Sequence, residues 1–422
     1  MGGAAPTMSV GGSGSVVRVG ETVAAAGRAE PPAPPVSRWL APPDVGRLVR
    51  LATAAVGRPD LDALPEELLS APTLAAAPTH ARLHRVEGCV HETLRARAAV
   101  DPSILATLAN ARTGAARQHL RTVRTVRALA SVLGDAGIGW LVMKGPVLAG
   151  RLYGDVGLRS SIDLDLLVAR RDFARAVRAL EAAGYVHLFR NWPFVWDARA
   201  GELPLGAGDV TLDAHWHLLF GAYDRRHFDL DPAAFMERAR VVDVGGVAIP
   251  TFDEVDTLLH LALHGAHSGA DRLVWLKDIE RSLSVERPDL DELVARARRF
   301  RCHLPVGVAL RRAQRTVAAP VPDGLVEALS GRAVRDVDRA LTRAFPVERT
   351  LDRGNPATFV ARCLVGSRRG SVARLAGAGY HYATHRRRQD LDEHDPRRPD
   401  SPTFARGTDV DKDRFLDWVS AP

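Results

Sequence analysis

The sequence predicts an α+β protein in which a mixed sheet with helices lies between N- and C-terminal helical segments. Between residues 137 and 250, short runs of alternating apolar and polar residues are separated by glycine-containing turns, which is the period of β-strands. On either side of this stretch, apolar residues recur every three or four positions, as in amphipathic helices. A chain of 422 residues is long enough for two or three domains.

Composition divides the chain into five regions. The N-terminus is rich in glycine, alanine and proline, so we expect a disordered leader. The C-terminal tail is rich in charge and proline and is expected to be largely disordered, although Phe415, Leu416 and Trp418 suit a short docked helix. The predicted regions are a leader (1–37), an N-terminal helical segment (38–136), a core (137–250), a C-terminal helical domain (251–383) and the tail (384–422).

Within these regions the periodicity predicts individual elements. Asp101 is a helix N-cap and Pro102 begins a long helix that ends near Leu133. The core elements, in order, are a strand at 138–143, a helix at 146–153, a strand at 162–168, a helix at 171–183, strands at 185–189 and 210–216, and a hairpin at 241–249. The C-terminal helices are predicted near 253–268, 271–285, 288–300, 303–318 and 332–345.

Charge and cysteine content favour a cytoplasmic protein. The net charge of +7 comes mainly from arginines scattered among acidic residues, so it predicts a solvated surface rather than a nucleic-acid-binding one. The three cysteines are far apart and form no CxxC, which argues against a disulfide framework and for a reducing compartment. The sequence has no run of about 18 apolar residues, so no membrane partner is expected.

The most informative residues are Asp163 and Asp165, which alternate with Ile162, Leu164 and Leu166. On a strand this alternation sends both carboxylates to one face, about 7 Å apart at the backbone. Two such carboxylates repel each other, and a divalent cation would relieve the repulsion. Oxygen ligands of this kind suit Mg²⁺, so we expect a site for one or two Mg²⁺ ions.

Asp213 is the best candidate for a third carboxylate, because it faces away from the apolar side of the strand VTLDAHW. It would either bind the metal or act as general base toward an attacking hydroxyl. Lys144 and Gly145 end the preceding strand. The glycine turn allows the backbone to approach a ligand, and the start of the helix after it would offer N–H groups to phosphate.

The histidines suggest a second wall of the site. His215 and Asp213 share a strand face, and a hydrogen-bonded histidine near the ligand is favoured there over a zinc site. His260, His264 and His267 lie on one face of a predicted helix, close in sequence to Lys277. We expect buried histidines lining a cleft, where His264 or Lys277 would contact nucleotide or acceptor.

These segments together resemble a known family. The KG pair, LYGDVGLRSSIDLDLLV, a helix ending in AAGY, and LDAHWHL are similar to the uncharacterised nucleotidyltransferase family of the polymerase-β-type superfamily. The resemblance implies a polymerase-β-type core and identifies Asp163, Asp165 and Asp213 as metal-binding and catalytic. It also implies nucleotide contacts by Arg159, Ser160 and Ser161. Lys144-Gly145 stands where the wider superfamily has Gly-Ser or Gly-Gly.

The resemblance implies a transferase that moves a nucleoside monophosphate from an NTP, such as ATP, to an acceptor hydroxyl or phosphate. A small-molecule or peptide acceptor is favoured; a protein or a nucleic acid stays open. One alternative is a small-molecule phosphotransferase that uses the same metal site. Another is a non-catalytic NTP-binding or regulatory protein with a degenerate site. The sequence leaves the acceptor and the preferred base open.

Overall fold

The computed structural model describes residues 42–61, 64–97, 100–349, 360, 362–366, 369–376 and 405–421. All of them belong to one compact unit. The predicted leader and residues 384–404 of the predicted tail lie outside the described residues. The division of the chain into five regions stays a prediction.

Among the described residues, four α-helices precede the sheet: α1 (Pro43–Ala55), α2 (Ala71–His84), α3 (Glu87–Leu94) and α4 (Pro102–Asp135). The predicted long helix is confirmed as α4, and the Asp101 carboxylate accepts a hydrogen bond from the Ser103 N–H at its start. This side chain satisfies one of the free donors of the first helical turn. The start of α4 is therefore set by the local sequence.

The predicted mixed sheet is confirmed and has seven strands in the order β3-β5-β6-β2-β1-β8-β7. The pairs β2–β6 and β1–β8 are parallel and the other four pairs are antiparallel. Its strands are β1 (Trp140–Val142), β2 (Asp163–Val168), β3 (Val186–His187), β5 (Glu202–Ala207), β6 (Val210–His215), β7 (Arg240–Asp243) and β8 (Ala248–Thr251). A separate pair joins β4 (Arg190–Asn191) to β9 (Ala405–Arg406).

The strand β5 is absent from the sequence-based prediction, because Pro204 and Gly206 interrupt its apolar pattern. The helix predicted at 146–153 is confirmed in its bounds. It begins with three α-helical residues, α5 (Pro146–Leu148), and continues as a π-helical turn at Ala149–Tyr153. The phosphate contact predicted at its N-terminus stays a prediction.

Helices within and after the sheet are α6 (Phe173–Ala182), α7 (Trp192–Ala198), α8 (Ala222–Arg225), α9 (Pro232–Glu237), α10 (Glu254–His267), α11 (Leu273–Arg281), α12 (Leu290–Arg299), α13 (His303–Val317), α14 (Asp323–Ala328), α15 (Gly331–Ala344) and α16 (Asp409–Ser420). The five predicted C-terminal helices correspond to α10 to α13 and α15. The short helix predicted around Phe415 is confirmed as α16, with Phe415 and Leu416 buried. No helix of the described residues is both long and apolar enough to cross a membrane.

Two hydrophobic clusters cover the two faces of the sheet. Leu164, Leu166 and Val168 of β2 belong to the cluster that contains α4, α6 and α16 residues. Leu167 belongs to the cluster formed by the N- and C-terminal helices. Because side chains alternate along a strand, Asp163 and Asp165 share the face of Leu167. The two aspartates therefore point toward the layer of flanking helices.

Candidate active site

The parallel pairing of β2 and β6 brings the predicted carboxylates together. Asp165 is opposite Asp213, and Asp163 is opposite Thr211. One ligand atom each of Asp165, Asp213 and His215 lie within 4.8 Å of one another, close enough to hold one metal ion. Asp163 is not a member of this group. The structure thus joins two of the three predicted carboxylates to His215, which the sequence suggested only as a cleft residue.

His215 connects the carboxylate group to β5. Its Nε2 lies 3.4 Å from Asp165 Oδ1, and its Nδ1 lies 3.1 Å from Glu202 Oε2. Glu202 is paired with His215 in the antiparallel register of β5 and β6. The sequence analysis missed Glu202. An acidic residue in the alternating run ELPL, just before the LDAHWHL strand, was the signal that could have found it.

Lys144 lies at the end of β1 with its Nζ 3.0 Å from Asp165 Oδ1. The backbone is fixed there by the hydrogen bond that the Met143 N–H donates to the Asp165 carbonyl. Gly145 follows with a φ of +71°, a conformation that favours glycine. A Cβ at Gly145 would also lie 3.3 Å from the Asp163 carbonyl oxygen. This glycine lets the Lys144 turn lie directly against β2.

Charge and burial separate the pKa values of these groups. Burial opposes ionisation of Asp165, but the Lys144 ammonium and His215 outweigh it and hold the pKa of Asp165 below its usual range. Burial and the Asp165 charge raise the pKa of Asp213 to about 7, and that of Asp163 also rises. Burial lowers the pKa of His215, but the charges of Glu202, Asp165 and Asp213 raise it to about 9. Such opposed shifts are typical of functional sites.

Two buried atoms of this group are left without a hydrogen-bond partner. They are Asp165 Oδ2 and His215 Nε2, and the nearest acceptor to Nε2, Asp165 Oδ1 at 3.4 Å, is poorly placed for a hydrogen bond. Unpartnered buried polar atoms are costly and need an explanation. Carboxylate oxygens and an imidazole nitrogen are both metal ligands. The residues present therefore fit a divalent cation.

A cavity of about 160 Å³ is lined by Asp163 and by all five residues predicted to bind nucleotide. One part of its wall is charged or polar and the other includes Leu261, Val274 and Trp275. Its lining residues are Arg85, Lys144, Gly145, Arg159, Ser160, Ser161, Asp163, Leu261, His264, Ser268, Val274, Trp275 and Asp278. Their role in nucleotide binding stays a prediction.

Two basic residues of the cavity depend on long-range packing. The Arg159 guanidinium donates hydrogen bonds of 2.8 and 2.9 Å to Asp278 of α11 and one of 2.6 Å to Ser161 Oγ. Arg85 enters from the N-terminal helices, at the left-handed residue that ends α2. Arg85 could not be predicted from the sequence, because nothing local to it indicates that α2 ends beside the sheet.

Lys277 does not line the cavity, so the prediction that it contacts nucleotide or acceptor is corrected. Its fully buried Nζ lies 3.2 Å from the Ala54 carbonyl and 2.7 Å from the Val56 carbonyl, and it pairs with Glu280. Residues 274, 275 and 278 share one helical face of α11, and Lys277 faces α1 instead. Lys277 joins the two helices and does not contact the predicted ligand region.

Of the three histidines of α10, His260 is buried, as predicted, whereas His264 and His267 are half-buried. Burial lowers the pKa of all three. His264 lines the cavity, and its ring meets Trp275 edge-on at 5.7 Å. His260 packs on Phe252 and His267 on Phe228. Only His264 of the three therefore borders the cavity.

Comparison with known proteins adds one finding. Residues 76–318, more than half of the chain, match the model of a family described as uncharacterised nucleotidyltransferase. This match includes the cavity, the carboxylate group and helices α10 and α11. No curated protein matches the chain.

Proposed function

We propose that this chain, which belongs to the uncharacterised nucleotidyltransferase family, transfers a nucleoside monophosphate from an NTP to an acceptor hydroxyl or phosphate. The observation that carries the proposal is the parallel register that pairs Asp165 with Asp213 beside a basic cavity. In-line transfer at phosphorus needs mainly positioning and charge neutralisation. A polymerase-β-type core is part of the same proposal.

The carboxylates and the basic residues have separate roles in this proposal. Asp165 and Asp213 hold a divalent cation, which neutralises charge on the phosphate oxygens when bound. Lys144, Arg85 and Arg159 attract the triphosphate into the cavity. Asp163 lines the same cavity and lies outside the ion-binding group.

The transfer forms one bond and breaks one. The acceptor oxygen bonds to the α-phosphorus, the bond from that phosphorus to the bridging oxygen breaks, and pyrophosphate leaves. The proton of an acceptor hydroxyl goes to a carboxylate of the site. We favour a small molecule or a peptide as acceptor.

The experiment compares α- and γ-labelled ATP with the full chain, a divalent ion, and pools of small molecules and peptides. Product that keeps the α label supports nucleotidyl transfer, whereas product that keeps only the γ label supports phosphotransfer. Asp165→Asn should abolish either signal, and Asp336→Asn, on α15 far along the chain, is the matched control. No ATP binding at millimolar concentration would refute both enzymatic readings.

A non-catalytic NTP-binding protein is the second candidate, and the Lys144–Asp165 contact favours it. An ammonium 3.0 Å from the carboxylate supplies the positive charge that an ion would otherwise supply. If the Lys144–Asp165 contact persists when divalent ions are added, the wild-type chain will bind no divalent ion. The Lys144→Met variant, which lacks the ammonium, will then bind one. Ion binding by the wild-type chain would exclude this candidate.

A further inference from the structure

An imidazole belongs to the ion-binding group, although the sequence predicted carboxylates alone. His215 Nε2, Asp165 and Asp213 converge within 4.8 Å. Asp163, the partner of Asp165 in the sequence motif, is outside this group and borders the cavity. The composition of the ligand set is therefore two carboxylates and one nitrogen.

Glu202 and the His217 carbonyl both lie close to Nδ1 of the imidazole. His215 Nδ1 faces two acceptors, Glu202 Oε2 at 3.1 Å and the His217 carbonyl at 3.3 Å. An atom between two acceptors carries the hydrogen, so in the neutral ring the lone pair is on Nε2. Nε2 is buried without a hydrogen-bond partner and faces Asp165. A carboxylate that orients a metal-binding histidine in this way is a recurrent arrangement.

We propose that His215 Nε2 binds the metal ion together with Asp165 and Asp213, that Glu202 is the positioning residue of His215, and that the site prefers Mn²⁺ to Mg²⁺. The preference follows from the ligand types. Mg²⁺ favours oxygen ligands and gives up water reluctantly, whereas imidazole suits first-row transition metals. This inference rests on the proposed function, which requires a divalent ion at this site.

The test uses Mn²⁺ alone as the probe, with the full chain and no nucleotide. Electron paramagnetic resonance titration gives the Mn²⁺ dissociation constant, and pulsed measurements detect a directly bound nitrogen. We expect nitrogen coupling in the wild-type chain. We also expect the dissociation constant of Mg²⁺, measured by its displacement of bound Mn²⁺, to be at least about tenfold higher than that of Mn²⁺. The wild-type measurement decides the ligand without any variant, so it does not depend on a variant folding.

Variants separate the two histidine roles. His215→Gln should lose the nitrogen coupling, and Glu202→Gln should keep it while weakening Mn²⁺ binding by about 10- to 100-fold. His187→Gln is the matched control, because His187 lies on β3 outside the site and its Nε2 pairs with a glutamate, Glu181, at 3.0 Å. It should leave both the coupling and the affinity unchanged.

Three results would overturn the inference: no Mn²⁺ binding at millimolar concentration, binding without nitrogen coupling, or equal affinity for Mg²⁺. An imidazolium that pairs permanently with Asp165 would give the first or second result. Failure here is distinct from failure of the proposed function. If the α label of ATP is transferred but no nitrogen coupling is seen, the proposed function is supported and the ligand assignment is wrong. If nitrogen coupling is seen but no label is transferred, the ligand assignment is supported and the proposed function is not.

Discussion

Lys144 and Asp165 form a buried ion pair, with Nζ 3.0 Å from Oδ1, at the centre of four acidic residues. The other three are Asp163, Asp213 and Glu202, and their charges act on Lys144 or on its partner. Burial lowers the pKa of Lys144, but the Asp165 and Asp163 charges raise it above its usual value. This lysine is thus the nearest cation to the proposed ion-binding residues.

Lys144→Met should destabilise the protein, and a divalent ion should restore its stability. Loss of one partner of a buried ion pair costs about 3–5 kcal/mol because the other charge stays unpaired. Thermal unfolding in EDTA and in Mn²⁺ measures the effect. Lys277→Met is the matched control, since it removes another buried lysine whose partner is Glu280. Rescue of both variants by Mn²⁺, or of neither, would contradict this prediction.

Substitution of Asp163 and substitution of Asp165 should have different effects on ligand binding, although the two aspartates form one motif in the sequence. Asp165→Asn should weaken metal binding and lower transfer by about 100-fold or more. Asp163→Asn should mainly weaken nucleotide binding, because Asp163 borders the cavity and lies outside the ion-binding group. Calorimetry with Mn²⁺ alone and with ATP distinguishes the two. Equal losses of Mn²⁺ affinity in both variants would place Asp163 in the ion site.

Arg159 should be required for stability as well as for ligand binding. Its two-pronged contact with Asp278 joins the segment before β2 to α11 and is buried on both sides. Arg159→Lys retains the charge but cannot form the planar fork, so we expect a loss of about 2 kcal/mol or more. Urea unfolding measures this loss. Arg171→Lys, at an exposed arginine, is the control and should change stability by less than about 0.5 kcal/mol.

The helix α16 should contribute substantially to the stability of the sheet. Phe415 is fully buried in the cluster on the back of the sheet, whereas Val410 of the same helix is 76% exposed. Phe415→Ala should therefore cost about 3–5 kcal/mol, and Val410→Ala should cost almost nothing. Chemical denaturation of both variants checks this. A small effect of Phe415→Ala would mean that α16 is detached in solution.

Acid should destabilise the protein through His80 and His84, whose rings meet edge-on at 4.7 Å. Burial lowers the pKa of His80 to about 4 and holds that of His84 well below its usual value. The unfolded chain takes up a proton at each near pH 6.5, but the folded chain does not until lower pH. Their stabilising contribution is thus complete above pH 6.5 and declines as the pH falls toward 4.

The expected decline from His80 is about 2 kcal/mol by pH 5. It is measured as the slope of unfolding free energy against pH between 7.5 and 5. His80→Gln should reduce this slope. Packing lost in the variant shifts the curve without changing its slope, so the two effects are separable. An unchanged slope would show that His80 takes up its proton without unfolding.

The local pattern of the chain was sufficient for part of the fold and site. Alternation placed Asp163, Asp165 and Asp213 on strands, and the cap at Asp101 placed the start of α4. These features depend on residues close together in sequence. The strand β5 was missed because proline and glycine conceal its pattern, and Glu202 was missed with it.

The sequence by itself determined the mixed sheet, the carboxylate strands and the resemblance to a nucleotidyltransferase family. Only the tertiary structure decided which side chains meet. Strand register pairs Asp165 with Asp213 and brings His215 and Glu202 beside them. Helix packing turns Lys277 away from the cavity. The physical reason is that register and helix orientation depend on burial against distant segments, whereas alternation and capping depend on neighbouring residues.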